Sequence, residues 1–472
     1  MDTPTPQHRK VTVLGAGLAG MSSAAELARS GVPVTVLERD PVVGGLAKSL
    51  KRNGYTVDLG PHRFHGEPGV VQHFKDLMGD NLVENNRKSR IWMMNRFFFY
   101  PLRVENVLMQ LPRTILLKIL VDYVVARAKQ LVRPKPDLSF EDWVTHRFGK
   151  TLYTIFFDVY TEKTWGLPCK QISSDWASQR ISLLSLGDVI KKTLQPKQKP
   201  QPRTYVSSFH YPKEGGVGAI CAAYRGQVEG VGGKVVTNIR IEKVRTDGQR
   251  ITSIVYQNGD LREVDTPGHV ISSIPPQVLL KLLDPGPPAE ILEHAAKLQH
   301  RSLVFVYVVM ARERLTDDHW VYIPEKSRLL NRISEAKNFS PDNAPEGHTA
   351  VCAEITCVLG DEIWKAEDAW LGERVVQELA DMGFLKKKEV VDTFVHREPQ
   401  GYPVYEIGYR EHLQALLDHL HSFQNLLVIG RQGLFRYNNM DHSVTMGQRA
   451  AHTVLGRIED FAGVAASGDY FD

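Results

Sequence analysis

Cysteine is scarce: the 472 residues contain four, Cys169, Cys221, Cys352 and Cys357. These are too few for a disulfide framework and lack the C-x-x-C spacing of a metal or redox pair, so they are expected as buried thiols. Long apolar runs are also missing. No stretch reaches the roughly 20 apolar residues of a membrane span. Ile115 to Ala126, ILLKILVDYVVA, comes closest, but it carries Lys118 and Asp122 and reads as a core-facing helix, with docking at a membrane surface as the alternative. The opening MDTPTPQHRK lacks the apolar centre of a secretion signal, so a cytoplasmic location is expected. Charge of one sign is nearly absent as an excess. Lys and Arg number 58 against 54 Asp and Glu, a formal net charge of +4, and no basic stripe interleaves with aromatics. Nucleic-acid binding is therefore not expected, whereas a small anionic ligand is compatible. His62 and His65 have no third ligand nearby, so no metal site is expected. Sequence repeats are missing too.

What is present is enough for a large core: 42% of the residues are hydrophobic, which suits two or three domains. The most informative stretch is Val11 to Asp40, VTVLGAGLAGMSSAAELARSGVPVTVLERD. An apolar strand leads into Gly15, Gly17 and Gly20, then an amphipathic helix, then a second apolar strand closed by Glu38. This is a dinucleotide fingerprint. Gly15 permits the turn, Gly17 lets a pyrophosphate approach, Gly20 allows close helix packing, and Glu38 stands where a carboxylate accepts ribose hydroxyls. Gly44 and Gly45 follow directly. That doublet resembles the one in flavoproteins of the glutathione-reductase-like superfamily and favours FAD over NAD.

Further along, IWMMNRFFFYP reads as two short strands around a turn at Asn95 and Arg96, with core-facing aromatics. Helical pattern dominates from about Val104 to Leu186, with Ser139 and Asp142 as a capping-box start. Lys191 to Arg203, KKTLQPKQKPQPR, combines three prolines with five positive charges and reads as an exposed basic loop, either a linker or a phosphate-attracting flap. Strands return in GGKVVTNIRIEKV, ITSIVYQNG and VDTPGHVISSIPP, then in LVFVYVVM and VCAEITCVL. The closing NLLVIGRQG is a strand and Asp441 to Gly456 a helix, whose first amides suit the flavin's polar oxygens.

Four separated motifs carry a family resemblance: the chain resembles the UDP-galactopyranose mutases. GYTVDLGPHRFH is similar to the family segment that lies against the isoalloxazine ring and places His65 beside flavin N5, with His62 in the same segment. FFDVYTEKTWG resembles its uridine-binding helix, which implies substrate contacts from Phe156, Tyr160, Thr161 and Trp165. NRISEAKNFSP implies Arg332 as a diphosphate contact. GRQGLFRYNNMDHS implies Arg431 near the flavin and Tyr437 near the substrate phosphates. Leu46, Val236, Gly430, Asn439, Met440 and Asp441 are the remaining FAD candidates. Aromatic platforms suit a flat uracil, and guanidinium groups suit a diphosphate, provided the fold brings Arg180, Arg332 and Arg431 together.

The resemblance implies an isomerase that interconverts pyranose and furanose forms of a UDP-hexose or related nucleotide sugar. Reduced FAD N5 would attack the anomeric carbon, Arg180 and Arg332 would hold the leaving-group charge, and His65 would support the flavin. No protein nucleophile is needed, and none is evident. Without a second nucleotide fingerprint, NAD(P)H would be an external reductant. Departures exist: QRISLL lacks a second arginine after Arg180, and Asn439 stands where bacterial mutases carry Asp. SFEDWVTHRFG and DWASQRI fit protoporphyrinogen-oxidase-like flavoproteins as well. The alternative is thus an FAD-dependent oxidoreductase of the amine-oxidase group. A flavin-bound, non-catalytic partner in a polysaccharide pathway is a third reading.

The expected fold is α/β: a Rossmann-type FAD domain of the glutathione-reductase-like kind, assembled from 1–90, 205–280 and 396–472. A helical substrate domain over 91–204 and an antiparallel sheet domain over 281–395 are inserted into it. Homo-oligomerisation is compatible with this plan.

Overall fold

The structure, a computed structural model, describes residues 10–102, 104–180, 208–457 and 459–464. The basic stretch 191–203 lies outside them. The chain divides into two compact units: one holds the stretch through Glu84, His210–Gln299 and the stretch from Tyr409; the other holds Asn85–Phe209 and His300–Gly408.

The first unit is built on a five-stranded parallel sheet in the order Leu426–Val428, His269–Ser272, Val11–Leu14, Val34–Leu37, Lys234–Val236. Register is direct, with Val11 opposite Val34 on one side and His269 on the other. Val11–Leu14 and Val34–Leu37, each VTVL, are buried at every residue, as expected for mostly apolar strands covered on both faces. The helices Leu18–Arg29 and Met440–Val454 pack against each other. A separate four-stranded sheet holds Leu261–Asp265, Arg250–Asn258, Ile239–Asp247 and Leu283–Asp284.

The second unit is organised by a seven-stranded sheet in the order Val390–Pro403, His300–Met310, Thr349–Cys357, Arg332–Glu335, Trp320–Tyr322, Ser89–Met93, Arg96–Phe99. Its core lies between His300–Met310, buried from Arg301 onward, and the helix Asp368–Asp381, which contributes Leu371, Val375 and Leu379. The expected antiparallel sheet is in fact mixed, because Trp320–Tyr322 pairs with Ser89–Met93 in parallel. That pairing also puts the 89–99 hairpin and the helices that follow it in one unit with the large sheet. The unit boundary falls after Gly408 because Val390–Pro403 is one uninterrupted strand, paired along its length with His300–Met310, which the expected boundary at 395 would cut.

The hairpin turn sits one residue earlier than the sequence suggests. Met94 and Asn95 both have φ of 55°, and Arg96 already belongs to the second strand. Ser139 does cap the helix Phe140–Phe148: its hydroxyl accepts from Asp142 N at 3.1 Å, and the Asp142 carboxylate accepts from Ser139 N at 3.1 Å. All four cysteines are buried and free. Among the described residues, no helix is long and apolar enough to cross a membrane.

The helix containing ILLKILVDYVVA, Arg113–Val132, corrects the core-facing expectation. Its inner row, Ile115, Leu116 and Ile119, packs with Met93 and Phe98. The opposite row does not: Leu117, Leu120, Val121, Val124, Val125, Leu131 and Val132 are between 44% and 83% exposed. A continuous apolar run identifies the helix but not which of its sides the fold covers.

Candidate functional site

In the first unit, Val11–Leu14 delivers the chain to Gly15, whose N–H donates to Leu37 O at 2.9 Å and ties the turn to the neighbouring strand. The helix Leu18–Arg29 starts immediately and lies so close that a Cβ on Gly20 would stand 2.0 Å from Gly15 O. Only glycine fits there. A Cβ on Gly17 would meet nothing within 4 Å, which leaves the first turn of the helix open to a ligand. Gly44 bridges Gly17 through backbone pairing, and its N–H donates to Ala16 O at 2.8 Å. Its φ of 126° excludes other residue types. Gly45 and half-buried Leu46 continue as a short helical turn beside it.

The Glu38 carboxylate is set by the same turn. Oε2 accepts from Ala16 N at 2.6 Å and Oε1 from Asp40 N at 2.8 Å, which leaves acceptor capacity on both oxygens for hydroxyl donors. Val236 O accepts from Glu38 N at 2.9 Å, so Val236 stands beside the acid.

A second group of candidates gathers around the start of Met440–Val454. Asn439 caps this helix, its own N–H donating to His442 Nδ1 at 3.3 Å. Buried Asp441 packs on the His62–Gly66 segment: a Cβ on Gly66 would meet its Oδ2 at 3.0 Å. Burial pushes the Asp441 carboxyl upward, against the pull of His442 and His65. Its Oδ1 has no hydrogen-bond partner among the described residues, a position that a bound polar group would complete. His65 is 8% exposed, and His62 Nδ1 lies 3.3 Å from Gly60 O. Gly430, with a φ of 80°, opens a short turn that carries Arg431. Arg431 Nη1 donates to Asn438 O at 3.2 Å, and its guanidinium lies 4.0 Å from the Tyr437 ring centre. These residues fit a flavin dinucleotide: an open helix start, a glycine cradle, a ribose-competent acid and an incompletely bonded buried carboxylate.

The second unit assembles an aromatic and guanidinium cluster. The FFDVYTEKTWG segment begins within a π-helical turn, Tyr153–Asp158, and continues as the helix Val159–Trp165. Tyr160 meets Tyr322 edge-on at 5.5 Å, and Tyr322 packs against Tyr100 at 4.8 Å. The Arg332 guanidinium lies 5.7 Å from the Tyr322 ring, with Nη2 3.5 Å from Tyr402 Oη. Trp165 stands 5.8 Å from Tyr402 and 4.5 Å from Trp176. Thr161 is buried, and Phe156 packs edge-on against Phe98 in an apolar cluster.

Arg332 and Glu354 face each other across paired strands and form a two-point bridge, Nε to Oε1 and Nη2 to Oε2, both 2.7 Å. Burial opposes the charge on Arg332, yet Glu354 and Tyr402 outweigh it and keep the guanidinium firmly protonated. Burial and Tyr322 keep the Tyr160 phenol neutral, well above its ordinary range. Arg180 ends the helix Ser174–Arg180, and its side chain lies outside the described residues.

Sequence reasoning missed Tyr100, Tyr322, Glu354, Tyr402 and Lys163. A signal existed for Glu354, the single acid inside the apolar VCAEITC, since a buried acid requires a partner. Lys163 Nζ donates to three carbonyls, Ile323 at 3.1 Å, Glu325 at 3.0 Å and Leu330 at 2.6 Å, and so fixes the helix that carries Tyr160. Burial lowers its ammonium to about 8. Asp158, Glu162 and Cys169 bring candidate ligand atoms within 4.8 Å of one another. Their chemistry suits a metal poorly: Tyr153 donates to Asp158, Lys326 pairs with Glu162, and burial pushes the Cys169 thiol up to about 12.

This cradle and cluster belong to a flavoprotein class. The flavin containing amine oxidoreductase family matches residues 18–455, and the chain belongs to that family. Within it, the UDP-galactopyranose mutase resemblance holds in the fold: the crystal structure of a reduced UDP-galactopyranose mutase superposes with a TM-score of 0.84 at 24% identity, covering 98% of each chain. A probable UDP-galactopyranose mutase of Klebsiella pneumoniae is 25% identical over 169 residues, 34% of this chain and 42% of that protein. A coproporphyrinogen III oxidase of Staphylococcus aureus is 21% identical over 95% of this chain and 100% of its own length.

Proposed function

We propose that the protein is an FAD-dependent nucleotide-sugar mutase, with a cofactor unit of the glutathione-reductase-like kind and a UDP-hexose as substrate. The observation that carries this reading is Arg332, a guanidinium held in plane by Glu354 and ringed by Tyr322 and Tyr402, one contact away from Tyr160. Its side chain keeps 19% exposure, so an anion can reach a cation whose orientation is already set. Phenolic hydroxyls add neutral donors to phosphate oxygens, and half-buried Tyr160 offers a flat face to a uracil, while buried Trp165 packs against Tyr402 and Trp176. Such a cluster suits a leaving diphosphate better than it suits an amine, because its reachable charge is positive.

Reduced FAD, once bound, supplies nucleophilic chemistry at N5. The chain's own residues orient and bind: Glu38 accepts from the ribose, the first turn after Gly17 meets the pyrophosphate, and His62, His65, Arg431, Asn439, Met440 and Asp441 hold the flavin end. Arg332 bears on substrate phosphates, with Arg180 as a further cation. NAD(P)H serves as external reductant.

The test is calorimetric titration of the flavin-loaded protein with UDP. Arg332→Ala is expected to weaken binding at least about tenfold, whereas unchanged affinity would remove Arg332 from the site. A second reading, FAD-dependent oxidation, is favoured by the full-length alignment with the Staphylococcus aureus oxidase. It predicts no UDP binding by either protein.

A further inference from the structure

The outer face of the helix Arg113–Val132 plays no part in either reading. Leu117, Leu120, Val121, Val124, Ala128 and Leu131 recur every three or four residues and form one stripe, all exposed. At 3.6 residues per turn, Lys118 and Lys129 border one side of this stripe and Arg127 the other. Arg113, Arg133 and Lys135 stand exposed at the two ends. Asp122, the only acid between 113 and 135, is turned away and accepts from Thr151 N at 2.9 Å. Leu108 and Met109 of the preceding helix Val104–Gln110 are 56% and 77% exposed. The inner row holds the helix to its own unit through Ile115, Leu116 and Ile119, so the outer row is displayed on a fixed support.

We propose that this face docks on an anionic lipid bilayer, the helix lying in the interfacial plane with its apolar stripe in the headgroup and acyl boundary. An apolar row bordered by long basic side chains suits that environment: the stems lie along the apolar layer while the charges reach lipid phosphates. Charge argues against a second copy as the occupant. Pairing two such faces would bring their cations together with no exposed acid on the helix to offset them. The stripe spans about 22 Å at 1.5 Å per residue, long enough for stable insertion along the surface.

The experiment is co-sedimentation of the full flavin-loaded chain with vesicles of phosphatidylcholine alone or mixed with phosphatidylglycerol. Sedimentation velocity without lipid runs in parallel. Binding is expected only to the mixed vesicles and should weaken as salt rises. Leu120→Glu with Val124→Glu should lower partitioning at least about tenfold, and Lys118→Glu with Arg127→Glu should abolish the preference for phosphatidylglycerol. Both variants alter exposed positions, so circular dichroism and the melting midpoint should match the parent. Absence of vesicle binding by the parent would overturn the proposal, as would binding unaffected by either variant. A dimer dissociated by the first variant, with no vesicle binding, would assign the face to a second copy instead.

Discussion

Arg332 and Glu354 are directly opposite on neighbouring strands and share two parallel hydrogen bonds of 2.7 Å each. Glu354 is almost wholly buried. Glu354→Ala leaves the guanidinium without its counter-charge and should cost about 3–5 kcal/mol of stability. Glu354→Gln keeps one acceptor and should cost less. Urea unfolding of both variants checks the order; equal stabilities would show that the pair is not coupled.

Gly20→Ala places a methyl group 2.0 Å from Gly15 O, a backbone atom that the parallel sheet holds in place. The helix must move outward and the pyrophosphate cradle open. The purified variant should contain little flavin, measured as the ratio of absorbance at 450 nm to that at 280 nm, about a tenth of the parent value or less. Full flavin content would contradict the cradle.

Asp58 accepts from Ser49 Oγ at 2.6 Å, Tyr211 Oη at 2.7 Å and Val217 N at 3.2 Å. Burial nonetheless raises its carboxyl from 3.8 to about 6. The native state therefore holds this proton more tightly than the unfolded chain. Its contribution is fully present below the unfolded value of 3.8 and is lost as pH rises through about 6. Asp58→Asn removes the titration, so the stability of the parent relative to this variant should fall across that window. A difference independent of pH would refute the assignment.

Ser139→Ala removes the hydroxyl half of the capping box and should destabilise the second unit by about 1 kcal/mol. Ser139→Thr, which keeps the hydroxyl that also donates to Asp142 Oδ2 at 2.8 Å, should restore most of that loss. Thermal melts compare the three proteins, and an alanine variant as stable as the parent would show that the cap adds nothing.

Legibility in the sequence followed locality. The Gly15 to Glu38 unit and the Ser139 cap could be read because each is closed by residues within one short stretch. The parallel strands could be read from short, mostly apolar runs. Tyr322 and Tyr402 could not, because only the folded sheet brings them to Arg332; Glu354 signalled the need for a partner without naming Arg332. Lys163 was hidden because its partners are backbone carbonyls, which leave no trace in residue type. The outer row of Arg113–Val132 reads as core in any apolar count; only the fold shows that these side chains stand exposed.

The most direct measurement incubates dithionite-reduced and oxidised protein with UDP-galactose and related nucleotide sugars, followed by chromatographic separation of isomers. The mutase account predicts a product of unchanged mass that forms only with the reduced protein. No product from any nucleotide sugar, together with anaerobic bleaching of the oxidised flavin by a porphyrinogen or an amine, would contradict it and make the protein an oxidase.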